Sequence, residues 1–538
     1  MTNIAAALTQ VAAKWPDRTA LTCKRGGVWQ DFSFAEIEGN AASYADFLRQ
    51  QGIRPGDRVM LMVPPSMEFI CLTFALFALG ATVILIDPGM GYKNLLSCIG
   101  AVRPSALVAI AKAQLFSRLF PQPFRSVRLR VCLGFGLGLC GRQLPPPNQA
   151  LAKLTITPLP PEATAAIIFT TGSTGPPKGV RYPHRVFQAQ LQQIHDYYRI
   201  GEDDIDQPAF PLFGLFAIAL GAQAVIPEMD PSRPAKVDPA TFIDSINRFG
   251  VTYSFGSPAI WKVISHYCQK QEQRLPSLKK VLMAGAPVSG ELIEALQAIL
   301  PPDAEIHIPY GATESLPVVS ISGREVVDTT WAQTKEGKGA CVGRPLPGID
   351  LRVMAVHQGP LSTFSAKQLL PVGTVGEIIV RGPVVTEAYD HNEAETLAAK
   401  IPDGEGFWHR LGDLGYLDEL GRLWFCGRKA HRVTTASGPL DTICCEAIFN
   451  THPLVNRTAL VGVGPAGAMR PVLIIEPVDS KLASPEQLIG ELLALAAAHP
   501  HTTGIQTFLI HPSFPVDIRH NAKIFREKLA LWAARHLS

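Results

Sequence analysis

The sequence lacks several signatures that would fix a protein class at once. Its ten cysteines, at positions 23, 71, 98, 132, 140, 268, 341, 426, 444 and 445, show no C-x-x-C pairing. That spacing argues against a structural zinc site and against a disulfide framework, and predicts reduced thiols in the core. Charge of one sign is also missing. The 49 basic and 46 acidic residues leave +3 over 538 residues, with the basic ones scattered along the chain, so no nucleic-acid surface is indicated and acidic small molecules remain suitable partners. The start, "MTNIAAALTQVAAKWPDRTA", has neither a basic leader nor a long apolar stretch, which predicts a cytoplasmic location. No internal repeat is present.

The longest uncharged run, Phe69 to Ile86 ("FICLTFALFALGATVILI"), has the length of a membrane span, but Gly80 divides it. It reads as an apolar helix ending near Leu79 and a buried strand closed by Asp87 and Pro88, with no integral membrane segment. Three familiar catalytic patterns fail as well. There is no Gly-x-Ser-x-Gly elbow, and Lys178 precedes Gly179 where a Walker loop needs Ser or Thr. "GLGLCG" (136–141) has dinucleotide-loop spacing, but the "RQLPPPNQ" that follows excludes the helix that should hold a pyrophosphate.

What is present describes a large globular protein. Hydrophobic residues make up 47% and charged residues 18% of the chain, a length and composition suited to about two to four domains. Apolar strand-like runs at 58–63, 82–87, 106–110, 165–170 and 279–284 alternate with helical patterns at Glu36–Gln51, Pro239–Phe249 and Gly290–Leu300, which predicts α/β architecture with mostly parallel sheets flanked by helices. Proline-rich connectors at 144–149 and 156–163 read as solvent-facing linkers. From about residue 340 shorter strands ("GIDLRVMAV", "VGEIIVRGP") suggest a β-rich subdomain. After "FCGRKAHR" (425–432), two strands and two helices, one of them Pro485–Ala497, suggest a small α/β unit. The domains expected are therefore 1–428, with the β-rich part at about 340–428, and 429–538.

One stretch asks for a specific chemistry. "IIFTTGSTGPPKGV" (167–180) leaves an apolar strand for Thr170, Thr171, Gly172, Ser173, Thr174 and Gly175, then two prolines and Lys178. A surface turn uses the same residue types. A run of small residues, however, leaves its backbone N–H groups unshielded, and four hydroxyls add donors to the same concavity, which suits a polyphosphate. Glycine allows close approach, and the Pro176–Pro177 pair keeps the Lys178 charge nearby.

The stretch resembles the phosphate-binding signature of the AMP-forming adenylating superfamily of acyl-CoA synthetases, peptide-synthetase adenylation domains and luciferases. Further motifs follow in that family's order across nearly the whole chain. "AGAP" (284–287) resembles the adenine-binding turn, with Gly285, Ala286 and Pro287. "YGATE" (310–314) resembles the motif in which Tyr310, Gly311 and Ala312 lie against adenine and Thr313 and Glu314 serve catalysis, Glu314 with magnesium. "GDLGYLD" (412–418) carries the ribose-binding Asp413, and "FCGR" (425–428) the ribose-contacting Arg428 at the interdomain hinge. "FPVDIRHNAK" (514–523) ends in the catalytic Lys523, on a lid that moves.

Each residue also has an ordinary reading: an exposed turn aspartate, a helix-capping acid, a core aromatic, a solvated lysine among Arg519, Arg526 and Lys528. The chemistry fits the resemblance too. A carboxylate accepts from both ribose hydroxyls, a magnesium ion on phosphates needs one or two carboxylates, and an ammonium stabilises charge developing at the α-phosphate. The resemblance implies ATP and Mg2+ as cofactors and a carboxylic acid as substrate.

Departures narrow the family. Gly214 stands in "FPLFGLF" where many acyl-CoA synthetases have a gate histidine; Ala430 replaces the usual Asp or Lys of the hinge. "VTTASGPLD" (433–441) lacks the lysine expected to receive CoA, and Asn521-Ala522 precede Lys523. These features, with "DPGM", "FGSPA" and "VIPEMDPSRPA", are similar to the β-lactone synthetases of bacterial long-chain olefin biosynthesis. That resemblance implies a long-chain 2-alkyl-3-hydroxy acid whose own hydroxyl attacks the adenylate, an apolar lining at 212–226, and assembly with neighbouring pathway enzymes. A fatty acyl-CoA or acyl-AMP ligase is the alternative. A non-catalytic nucleotide or fatty-acid sensor is disfavoured by intact Lys178, Glu314, Asp413, Arg428 and Lys523.

Overall fold

A computed structural model describes residues 3–134, 140–147, 152–170, 176–479, 484–517 and 523–537. The apolar alternation of the first half forms a seven-stranded sheet in the order 142–143, 129–133, 106–110, 58–62, 82–85, 164–169, 179–183. Every pair is parallel except the last, an antiparallel hairpin whose loop is the small-residue stretch. Parallel neighbours need crossovers, and the helices Met67–Leu79, Tyr92–Val102 and Ala111–Leu119 supply them.

The divided apolar run is the first of these crossovers. Ser66 caps the helix by accepting from Phe69 N at 3.2 Å, every side chain but Glu68 is buried, and Gly80 ends it at φ 73°, a left-handed conformation natural to glycine. Among the described residues no helix is long and apolar enough to cross a membrane. Most of "GLGLCG" lies outside the described residues; its last glycine, Gly141, leads into the two-residue strand Arg142–Gln143 and not into a helix.

A second sheet has fourteen strands. Its middle, strands 223–225, 205–206, 253–256, 280–283 and 305–312, is parallel. From Ser315 onward the pairing turns antiparallel through strands 340–345, 423–428, 406–417, 376–381 and 350–354. The β-rich region is thus a continuation of the central sheet, joined at Ser320↔Arg344. One hydrophobic cluster contains residues of both sheets and of helices Phe34–Gln50 and Met67–Leu79. The prolines of 156–163 are less detached than a linker: Thr157 N donates to Ala78 O at 2.8 Å.

Past residue 430 the chain builds a three-stranded sheet (455–463, 470–477, 507–510), and two apolar clusters consist solely of residues from this part. Three helices pack here where the sequence pattern gives two: Thr442–Phe449, Pro485–Ala498 and Arg526–Leu537. The first, "TICCEAIF", is poor in strong helix formers, so packing against strand 455–463 decides its conformation. All ten cysteines are free thiols, eight of them buried.

Candidate active site

The parallel strands of both sheets end on one cavity of about 2280 Å3, walled by residues just beyond strands 82–85, 164–169, 253–256, 280–283 and 305–312. Ligand sites in open α/β sheets lie at such carboxyl ends. Thr170, Lys178, Gly285, Ala286, Pro287, Tyr310, Gly311, Ala312, Thr313, Glu314, Asp413, Arg428 and Lys523 all line this one space. Thr171, Gly172, Ser173, Thr174 and Gly175 lie outside the described residues, as do Asn521 and Ala522.

The base of the small-residue loop is closed by a reciprocal pair: Thr170 N donates to Lys178 O at 3.0 Å, and Lys178 N donates to Thr170 Oγ1 at 3.1 Å. The Lys178 ammonium rests on Glu395 Oε2 at 2.5 Å and 5.3 Å from the centre of the Tyr389 ring. Its charge is therefore held at the rim by a half-exposed carboxylate that an incoming anion competes with.

"YGATE" occupies a tight hairpin. Strand 305–312 pairs with 315–322 so that Ala312 faces Ser315, leaving Thr313 and Glu314 at the tip. Glycine is required at 311, since a Cβ there would stand 2.4 Å from Ser315 O. Thr313 O accepts from the Tyr182 hydroxyl. Glu314 is held twice: its carbonyl accepts from Thr386 N (2.9 Å) and Thr386 Oγ1 (3.0 Å), and its Oε1 accepts from Tyr389 Oη at 2.6 Å. Burial, reinforced by the Glu314 charge, holds the Tyr389 phenol far above its ordinary range, so it acts as a donor. Behind them Lys400, a buried residue, donates to Thr386 O. Burial pushes its ammonium down to about 7, against the opposing pull of Glu314 and Glu387. The sequence reading missed Tyr389, Thr386 and Lys400. They come from a stretch more than 70 residues downstream of Glu314, and only the folded sheet brings them there.

Asp413 forms the polar centre opposite. It is 6% exposed; Oδ2 accepts from Tyr310 Oη at 2.6 Å and Oδ1 from Arg428 Nη1 at 2.7 Å. The strands carrying Asp413 and Arg428 pair them in register. The Asp413 charge holds the Arg428 guanidinium fully protonated, and burial beside Asp413 pushes the Tyr310 phenol well up. Each carboxylate oxygen keeps a further acceptor site for a hydroxyl.

Next comes the link between the two parts of the chain. Arg428 bonds back to Asp413, and Lys429 Nζ to Glu377 Oε2 at 3.1 Å, itself in a buried pair with Arg410 at 2.8 Å. His431 Nε2 lies 3.1 Å from Glu527, and Arg432 grips Asp441 through two bonds of 2.7 and 3.0 Å. Ala430, exposed, stands between the two sets. Lys523 reaches the cavity from a bridge between Val516 and Ile524, its N–H donating to Asp517 Oδ1 at 3.1 Å. The segment 433–441 is a short hairpin, Val433–Thr435 with Gly438–Leu440, bearing hydroxyls and no lysine.

Away from these polar groups the cavity is apolar. The expected stretch at 212–226 contributes Leu212, Phe213, Leu215, Phe216 and Ala219. Phe213 stacks on Phe255 at 3.7 Å, and Phe216 meets Phe187 at 6.1 Å. Gly214 does not line the cavity. A Cβ there would face Pro208 at 3.3 Å, Ile226 at 3.7 Å and Ala224 at 3.8 Å. The small residue at this position lets helix Pro211–Ala219 lie close on strand 223–225, so in this fold it belongs to packing and not to a gate.

Among the described residues no cluster of three metal-binding side chains is present; Glu314 lines the cavity next to Thr313, and Glu395 lies there against Lys178. A single carboxylate fits magnesium, which retains waters and phosphate oxygens.

A family profile described as AMP-binding enzyme matches residues 8–390. The chain is 44% identical to an olefin beta-lactone synthetase of Xanthomonas campestris pv. campestris, over 99% of this chain and 98% of that protein. It is also 44% identical to one of Stenotrophomonas maltophilia, with the same coverage. Among solved structures, the amide bond synthetase McbA from Marinactinospora thermotolerans superimposes with a TM-score of 0.80 at 22% identity, over 99% of both chains.

Proposed function

The chain belongs to the AMP-binding enzyme family, and on that premise we propose that it is an AMP-forming ligase that activates a long-chain 2-alkyl-3-hydroxy acid with ATP and closes the adenylate to a β-lactone. One observation carries this reading: a single cavity joins Thr170, Lys178, Glu314, Asp413 and Lys523 to an aromatic and aliphatic chamber.

In the first step a carboxylate oxygen attacks the α-phosphate of ATP and pyrophosphate leaves. Tyr310 offers a flat face to adenine, and Asp413, oriented by Arg428, accepts the ribose hydroxyls. The loop amides and Lys178 hold the β- and γ-phosphates. Glu314, aimed by Tyr389, would hold Mg2+, which when bound would supply positive charge to the phosphates. Lys523 stabilises the charge developing at the α-phosphate. In the second step the substrate's 3-hydroxyl oxygen bonds to the acyl carbon, the bond between acyl carbon and AMP oxygen breaks, AMP leaves, and the hydroxyl proton passes to water. The apolar chamber holds both alkyl chains so that hydroxyl and activated carbonyl stay together, and intramolecular delivery gives the strained ring its entropic advantage. The step uses no thiol, in keeping with a 433–441 hairpin that has no lysine. Residues 1–428 act as the adenylating body and 429–538 as the lid, in a cytoplasmic enzyme that works beside enzymes supplying the acid and consuming the lactone.

The test is incubation of enzyme, MgATP and a graded series of 3-hydroxy acids with and without CoA. The expected result is lactone and AMP in equal amounts without CoA. Product formed strictly as acyl-CoA would overturn the second step and leave a fatty acyl-CoA ligase.

A further inference from the structure

The positive charge of this chain is less even than its scatter suggests. From residue 88 to residue 161 there is no aspartate or glutamate, while nine lysines and arginines fall in the same span. Five of these, Lys93, Arg103, Lys112, Arg118 and Arg125, are exposed around helices Tyr92–Val102 and Ala111–Leu119. Arg128 is paired with Asp57 at 2.5 Å and Arg130 with Ser117, so they are spent within the protein.

The same face carries apolar side chains that the fold leaves in water. Tyr92 is 74% exposed, Leu115 58%, Leu119 68% and Phe120 43%. They adjoin one another. The Tyr92 ring lies 5.8 Å from Phe116, Phe116 lies 4.9 Å from Phe120, and Leu115 and Leu119 are one turn apart on the helix. Contiguous exposed apolar groups mark interaction surfaces. Rimmed by lysine and arginine with no acid in the local chain, this one has the composition of an interfacial helix on anionic lipid. The patch also adjoins the cavity: Ile110 and Ala113, at the start of the same helix, belong to its wall.

We propose that the face formed by helices Tyr92–Val102 and Ala111–Leu119 is a peripheral docking surface for an anionic lipid bilayer, from which a two-chain lipid acid reaches the cavity past Ala113. The identity of the cargo rests on the function proposed above; the docking surface does not. Leu119, Phe120 and Tyr92 enter the headgroup layer, while the basic side chains lie over lipid phosphates.

The experiment is flotation of the full chain with vesicles of phosphatidylcholine alone and with phosphatidylglycerol added, without ATP or substrate. Association with the anionic vesicles alone, falling with salt, is expected. Each removed charge lowers the partition coefficient about fivefold, so K112A/R118A/R125A loses about a hundredfold. L119S/F120S, altered only at exposed sites, loses anionic binding at equal salt. Both variants keep the wild-type melting temperature and pyrophosphate exchange with a water-soluble short acid, and both turn over vesicle-borne long acid more slowly. Absence of flotation on anionic vesicles, or flotation equal in wild type and both variants, overturns the proposal. So does a patch-dependent association with a second copy or an acidic protein in the absence of vesicle binding. Because flotation is read without catalysis, its failure leaves the adenylation reading intact, and failure of adenylation leaves the flotation result readable.

Discussion

Removing one oxygen atom, in Tyr389→Phe, tests how Glu314 is aimed. The Tyr389 hydroxyl donates to Glu314 Oε1 at 2.6 Å, a short bond to a charged acceptor. The Glu314 backbone is held separately by Thr386, so the hairpin should stay in place while the carboxylate loses its orienting donor. A hydrogen bond to a charged group contributes about 1.5–3 kcal/mol, and loss of a residue that orients a metal ligand weakens metal affinity about 10- to 100-fold. The expected phenotype is therefore specific. Acid-dependent exchange of labelled pyrophosphate into ATP should need about 10- to 100-fold more Mg2+ for half-maximal rate, and most of the lost rate should return at saturating Mg2+. Titration of exchange against Mg2+ in wild type and variant gives the answer. A folded variant with an unchanged Mg2+ response refutes the assignment of Glu314 as the magnesium carboxylate oriented by Tyr389.

Other expectations follow from the same geometry. Lys523→Ala should lower adenylation by at least about a hundredfold, the scale of one lost transition-state donor, while equilibrium binding of ATP persists; loss of ATP binding would contradict its role in charge stabilisation. Gly214→His should lower the melting temperature by overpacking worth about 1–3 kcal/mol against Pro208 and Ala224, and an unchanged melting temperature would show that the helix has slack. Burial pushes His184 down to about 4, with its Nδ1 accepting from Ile4 N at 3.2 Å. Below about pH 6.5 the unfolded chain takes up a proton that the folded chain refuses, so stability falls as pH drops from about 6.5 to 4, by about 2 kcal/mol at pH 5. Thermal melts at pH 7 and pH 5 should show a smaller drop in His184→Gln than in wild type.

The parts of the fold legible in the sequence are those with a local cause. Apolar runs placed four of the first sheet's seven strands within two residues and left 129–133, 142–143 and 179–183 unread, and Gly80 marked the end of a buried helix because that turn needs a left-handed residue. Helix Thr442–Phe449 escaped notice because packing, not propensity, makes it helical. Gly214 was legible as a departure but not as packing, since its neighbours Pro208 and Ala224 are set by helix–strand contact. In the site, Asp413 and Arg428 were readable from motifs; that Arg428 donates to Asp413 follows from strand register. Tyr389 and Lys400 carry no local signature, because their effect on Glu314 exists only once strand 406–417 and its neighbours are assembled.

The arrangement around Ala430 limits how the last hundred or so residues can turn. Arg428 and Lys429 are tethered backward to Asp413 and Glu377, while His431 and Arg432 are tethered forward to Glu527 and Asp441. Ala430 is thereby the one residue of this link without a side-chain tether to either part. The lid motion proposed above would turn there, and it would carry Lys523, Asp441 and the 433–441 hairpin as one body. An alanine offers no side chain to latch a second orientation, so contacts elsewhere would have to hold one.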